Sequence, residues 1–89
     1  MPEYTINQIN KMVQALGYSG TKEFIDEWVV GTNAERDREI MCLRLLNGLS
    51  IEGVTSRYAE VHPNDQISKE TVKRVIHDRN PQIFCHFPG

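Results

Sequence analysis

Positive charge is scarce in this chain. Ten lysines and arginines stand against twelve aspartates and glutamates, a net charge of -2 with a pI of about 5.9. That balance weighs against a general nucleic-acid coat, which is usually basic overall. Cysteine is scarce too. Cys42 and Cys85 are the only two, too few for a disulfide framework, and in a reducing compartment both are expected as free thiols. Cys42 lies in an apolar stretch and reads as a small core residue. Long hydrophobic runs are missing. The longest cluster, Ile40-Met41-Cys42-Leu43 followed by Leu45-Leu46, is broken by Arg44. No transmembrane segment is expected, nor a signal peptide at the polar N-terminus, so a cytoplasmic protein with no membrane partner follows.

Signatures of catalysis are equally absent. The sequence has no glycine-rich phosphate loop, no nucleophile elbow and no H-E-x-x-H, so an enzyme is not expected. Potential metal ligands exist in Cys42, His62, His77, Cys85 and His86. They lack C-x-x-C or H-x-x-x-H spacing, and the adjacent Cys85 and His86 would point apart in an extended chain. Neither metal nor cofactor is expected, and the histidines read as turn and surface residues. Glu23, Asp26 and Glu27 cluster on one helix beside Trp28, where a charged outer face usually means solvation. Strand alternation is missing as well. Glu60-Val61 and Ile83-Phe84 are short extended pieces at most, and no repeat, low-complexity tract or linker divides the chain.

What the chain does have is helical punctuation. Apolar residues make up 39% and charged residues 25%, as in a globular domain. Its 89 residues suit a single helical domain with a modest core. Thr5 with Gln8 has the form of a capping box. It opens a helix with apolar Ile6, Ile9, Met12, Val13 and Leu16, closed by Gly17. Thr21 is expected to cap a second helix, with Phe24, Ile25, Trp28 and Val29 on one side. Trp28 reads as core in preference to an interface anchor. Thr32 with Glu35 is a second candidate capping box, opening a helix from about Ala34 to Asn47. Its charged first turns, Glu35 to Glu39, predict a solvated start; its apolar second half predicts a buried end.

Ser50 caps a fourth helix, Ile51 to Glu60, with Ile51, Val54, Tyr58 and Ala59 inward. Gly53 weakens it by roughly 1 kcal/mol relative to alanine. His62-Pro63-Asn64-Asp65 is a turn cluster. Ser68 caps a fifth helix, which Asn80-Pro81 is expected to end. The tail beyond it carries Ile83, Phe84 and Phe87. Three large apolar groups there predict folding onto the chain's own core or onto a second subunit. The fold class is therefore all-α, with about five short helices.

The fifth helix has two faces. Val72, Val75 and Ile76 fall at i, i+3, i+4 and point inward. Lys69, Lys73, Arg74 and His77 occupy other faces. The segment from Gln66 to Arg79 holds four bases and two acids, whereas Met1 to Gly48 holds seven acids and five bases. The positive charge is local. Two short helices in tandem, the second basic outside, predict a helix-turn-helix over about residues 50–79 that lays its second helix in the DNA major groove.

The segments Leu45-Leu46-Asn47-Gly48-Leu49-Ser50 through Tyr58-Ala59, and Ile67-Ser68-Lys69-Glu70-Thr71-Val72-Lys73-Arg74-Val75-Ile76, carry a family likeness. Over roughly Arg38 to Arg79 the chain resembles small bacterial helix-turn-helix transcriptional regulators, among them plasmid and adhesin-operon regulators of the KorA/TrfB and PapB kind. One departure is visible. In the tight motif Ala59 and Val72 would be closer by about three residues, and His62-Pro63 replaces the usual turn glycine. The resemblance implies roles by position. Ser68, Lys69, Thr71 and Lys73 would reach base edges or phosphates from the second helix. Arg74 and Arg79 would favour phosphates, and Ser50 and Arg57 would touch the backbone from the helix before it.

The expected function is a sequence-specific DNA-binding transcriptional regulator, acting without cofactor by occupying promoter or operator DNA. One weakly charged module rarely reaches useful specificity, so a homodimer on double-stranded DNA is expected, joined through the first two helices or the Phe84/Phe87 tail. The competing expectation is a protein-binding helical module. It would contact a polymerase subunit or another regulator through the acidic N-terminal half, without reading DNA.

Overall fold

Thr5 opens the first helix as its spacing with Gln8 requires. In the computed structural model, which describes residues 4–87, the Thr5 hydroxyl accepts the Gln8 N–H and the Gln8 side chain accepts the Thr5 N–H. Five helices follow in order: α1 (Ile6–Ala15), α2 (Thr21–Trp28), α3 (Ala34–Leu45), α4 (Ile51–Val61) and α5 (Lys69–Phe84). The fold is all-α, with no strand among the described residues. No helix is long and apolar enough to cross a membrane, again among the described residues.

α1 buries Ile9 and Val13 but leaves Ile6 and Leu16 42% and 46% exposed, so its apolar set is only partly covered. Gly17, at φ +101°, turns the chain out of the helix. The N–H groups of Gly17 and Tyr18 return to the carbonyls of Gln14 and Val13, the paired bonds of a Schellman ending.

Three helix boundaries differ from expectation. Thr21 is not the cap of α2. Gly20 occupies that position in extended backbone with no side-chain bond, and Thr21 is buried in the first turn. The Glu23 carboxylate instead reaches back to the Ser19 N–H and hydroxyl. Thr32 does not cap α3 either. Asn33 does so in left-handed backbone, φ 63°, without a side-chain bond. The Thr32 carbonyl accepts from Arg79 instead.

α5 runs through Pro81 to Phe84 and does not stop at Asn80-Pro81. An interior proline loses one helical N–H bond and costs about 3 kcal/mol. Burial offsets it. Ile83 is fully buried and Phe87, just beyond the helix, nearly so, each contributing roughly 1.5–3 kcal/mol. Phe87 stacks on Phe24 at 5.8 Å and Phe84 on Tyr4 at 5.4 Å. Of the two places predicted for the tail, its own core is the one it takes.

One core draws on all five helices. α3, α4 and α5 pack pairwise on one another, and α2 joins them through α3 and α5. The start of α3 is only partly solvated: Glu35 is exposed, but one of its charges is not. Asp37 is 5% exposed and held by Arg36 and Arg79. Trp28 lies at the edge of the core. It is 37% exposed, donates its indole N–H to the Tyr18 hydroxyl at 3.1 Å, and packs against His86 with ring centroids 4.1 Å apart. His86 is half-buried, not a surface residue.

Candidate nucleic-acid interface

α4 and α5 each begin with a serine that does what its position demands. Ser50 accepts the Gly53 N–H at 3.1 Å, and Ser68 accepts the Thr71 N–H at 3.2 Å. The Ser68 and Thr71 hydroxyls also bond to each other at 3.0 Å. Capping uses acceptor capacity and leaves the Ser50 O–H as a donor at an exposed helix start.

Residues 62–68 connect the two helices, longer than the tight motif but fixed. The His62 Nε2 meets the Glu39 carboxylate of α3 at 2.5 Å, and its ring lies 4.5 Å from that of Tyr58. The Asp65 N–H donates to the His62 carbonyl at 3.1 Å. Tyr58 is 3% exposed, and burial first, then the nearby Asp65 and Glu39 charges, push its phenol above the usual range. The first turn residue is thus tied to both α3 and α4, so the extra length does not leave α5 loosely hung.

α5 is anchored by Val72, Val75, Ile76 and Ile83. Lys73, Arg74 and His77 face outward, exposed, and make no hydrogen bond or ion pair among the described residues. Lys69, Lys73 and His77 recur at i, i+4 and i+8, so they form one stripe along the helix. Glu70 and Asp78 are also exposed on this helix, which keeps the face mixed in sign.

The two helix starts are brought together. Ser50, Ile51 and Glu52 from α4 and Lys69 from α5 line an open groove of about 380 Å³ with Arg44 from the end of α3. Lys69 Nζ lies 2.9 Å from a Glu52 carboxylate oxygen. That hydrogen bond holds the Glu52 carboxyl below the usual carboxylate range and raises Lys69 above the usual lysine value. Arg44 donates one Nη1–H to the Leu49 carbonyl at 2.8 Å. A guanidinium has five N–H groups, so donors remain. In the sequence Arg44 stands only as a break in an apolar run; a lone cation in the last turn of a helix is the available signal.

Two of the expected site residues lie elsewhere. Arg57 pairs with Glu60 one turn along α4 at 3.4 Å, both exposed. Arg79 is an interior residue. Its guanidinium bonds Asp37, the carbonyls of Val30 and Thr32, and the Gln82 side chain, with 11% of the side chain exposed. These acceptors occupy the donors that a phosphate would need, so Arg79 has no place in the outward set.

Among the described residues no three His, Cys, Asp or Glu side chains converge to hold a metal. No protein-family model matches the chain, and neither curated proteins nor solved structures give a significant match. The functional reading therefore rests on the chemistry of the α4–α5 face.

Proposed function

We propose that the chain is a sequence-specific DNA-binding transcriptional regulator that presents α5 to the major groove and occupies promoter or operator DNA as a homodimer. The observation that carries the reading is the outward, unpaired set of Lys73, Arg74 and His77 on a helix whose opposite face is locked into the core. A rigid helix with outward cations offers positioned donors to phosphates and base edges at little ordering cost. Lys73 and Arg74 supply phosphate or guanine contacts, and Ser68, Lys69 and Thr71 lie at the helix start that enters the groove. Ser50 and Arg44 flank it on the backbone side.

The charge available is small, so the contribution of a second copy matters. Phe84 and Phe87 are engaged in the chain's own core, which leaves the first two helices, with Ile6, Leu16 and Trp28 exposed, as the dimer surface.

The test is fluorescence anisotropy of the full chain with duplex from its own upstream DNA at two salt concentrations. Specific binding is expected, with a log–log salt slope of about -0.9 per phosphate contact. Replacing both Lys73 and Arg74 by alanine should weaken binding and flatten the slope by about one to two contacts. Unchanged affinity and slope in that variant overturns the assignment of this face.

A second reading has its own support. Trp28 and Val30 are 37% and 54% exposed beside the acidic α2, and a half-exposed tryptophan suits a protein partner. Absence of DNA binding at micromolar protein favours this reading over the first.

A further inference from the structure

We infer that Glu52 is an internal competitor for phosphate that holds Lys69 in reserve. The inference rests on the DNA-binding reading and concerns how that site is regulated. Glu52 sits in the first turn of α4 and Lys69 is the first residue of α5. Their 2.9 Å pair crosses the groove that Arg44 and Ser50 also line. The side chains are 77% and 51% exposed, so the pair satisfies no buried charge and adds little to the fold. Lys69 therefore has an acceptor it does not need for stability.

A carboxylate oxygen and a phosphate oxygen are the same kind of partner for an ammonium group, a charge-assisted acceptor at hydrogen-bond distance. A DNA backbone entering the groove must take Lys69 from Glu52, and it meets the Glu52 charge as it does so. Glu70 neighbours Lys69 in the chain but makes no hydrogen bond to it; the contact belongs to Glu52. The consequence is selectivity. DNA held by the groove alone gains little, because one ion pair is exchanged for another beside a like charge. DNA that also engages Lys73 and Arg74 opens the pair. Glu52 thereby suppresses non-sequence-specific binding more than specific binding.

The experiment compares the full-length protein with Glu52→Gln, Lys69→Ala and the double variant. Anisotropy is measured on a short mixed-sequence duplex and on the chain's own upstream duplex, at two salt concentrations, with folding checked by circular dichroism. Glu52→Gln should bind the mixed-sequence duplex about two- to fivefold tighter, with a salt slope steeper by about one contact. On the Lys69→Ala background the same substitution should give no gain. The inference is overturned if Glu52→Gln binds as the parent does. It is equally overturned if the gain persists without Lys69, since removal of a negative charge alone then explains it. Binding by none of the four proteins removes the DNA-binding reading itself, and this inference with it.

Discussion

The guanidinium of Arg79 lies 2.9 Å from the Asp37 carboxylate, across 42 residues of chain, with 11% and 8% of the two side chains exposed. The same guanidinium bonds the Val30 and Thr32 carbonyls, while Arg38 bonds the Val29 carbonyl at 2.7 Å. The α2–α3 connection is thus fixed by two arginines, one from each of α3 and α5. Removing one partner of a buried pair leaves the other uncompensated and typically costs about 3–5 kcal/mol. Arg79→Ala is expected to lower Tm by more than about 10 °C. Lys73→Ala should leave Tm within a few degrees and, on the proposed reading, weaken DNA binding. Scanning calorimetry on both variants separates the roles; equal Tm values would show that Arg79 does not hold the connection.

Gly48 lies beside the tip of the Ile6 side chain at the end of α3. Gly48 has φ +68°, and a Cβ added there would meet the Ile6 Cδ1 at 2.7 Å. Gly17 has φ +101° with nothing within 4 Å of such an atom. Alanine at either site should cost about 1–2 kcal/mol for the left-handed backbone. Gly48→Ala should cost only slightly more, because the atom it meets is the free end of the exposed Ile6 side chain, and Ile6→Ala should change that cost little. Urea denaturation of the four variants measures this. A cost at Gly48 well above that at Gly17, relieved on the Ile6→Ala background, would show that the Ile6 side chain does not give way.

Much of this fold is legible in the sequence because its signals are local. Thr5-Gln8, Ser50 and Ser68 cap where they should, since a cap needs only the backbone a few residues ahead. Val72, Val75 and Ile76 face inward because their spacing alone fixes one stripe. What sequence does not disclose is non-local. Thr32 has the chemistry of a cap, but its carbonyl is drawn to Arg79 from α5. Asp37 and Arg79 each read as surface charge, and only the folded chain brings them together. Pro81 reads as a stop because its cost is visible in the sequence, whereas the seat for Ile83 and Phe87 is built by other helices. In the candidate interface, Lys73 and Arg74 are legible from periodicity. The Glu52–Lys69 pair and the place of Arg44 beside it are not, since they depend on how three helix ends meet.

The two thiols differ in reach. Cys85 is exposed and Cys42 half-buried. Burial first, and the nearby Asp26 charge second, push the Cys42 thiol up. The thiolate is the reactive form, so a disulfide reagent near neutral pH should show one fast and one slow phase. The slow phase should disappear in Cys42→Ala and accelerate as pH rises. Stability moves with the same group. The folded state favours the neutral thiol, so its contribution is fully present below the unfolded-chain value of about 8.5 and is lost as pH rises through the higher folded value. Two thiols reacting at one rate would contradict the burial of Cys42.

Pro81 offers a prediction of opposite sign to most substitutions. It sits exposed inside α5, where it can donate no bond to the His77 carbonyl. The residues beyond it hold the helix in line through Ile83 and through the bond from Arg79 to Gln82 at 2.9 Å. Pro81→Ala restores the missing donor without disturbing a buried side chain. It also gives the unfolded chain more freedom, a loss of about 0.4–1 kcal/mol. The helical gain from removing an interior proline, up to about 3 kcal/mol, outweighs that loss. The variant should therefore be more stable, with its Tm raised and the amides of α5 after His77 better protected from hydrogen exchange. A lowered Tm would mean that the proline ring itself supports the packing of the tail on Tyr4 and Phe24.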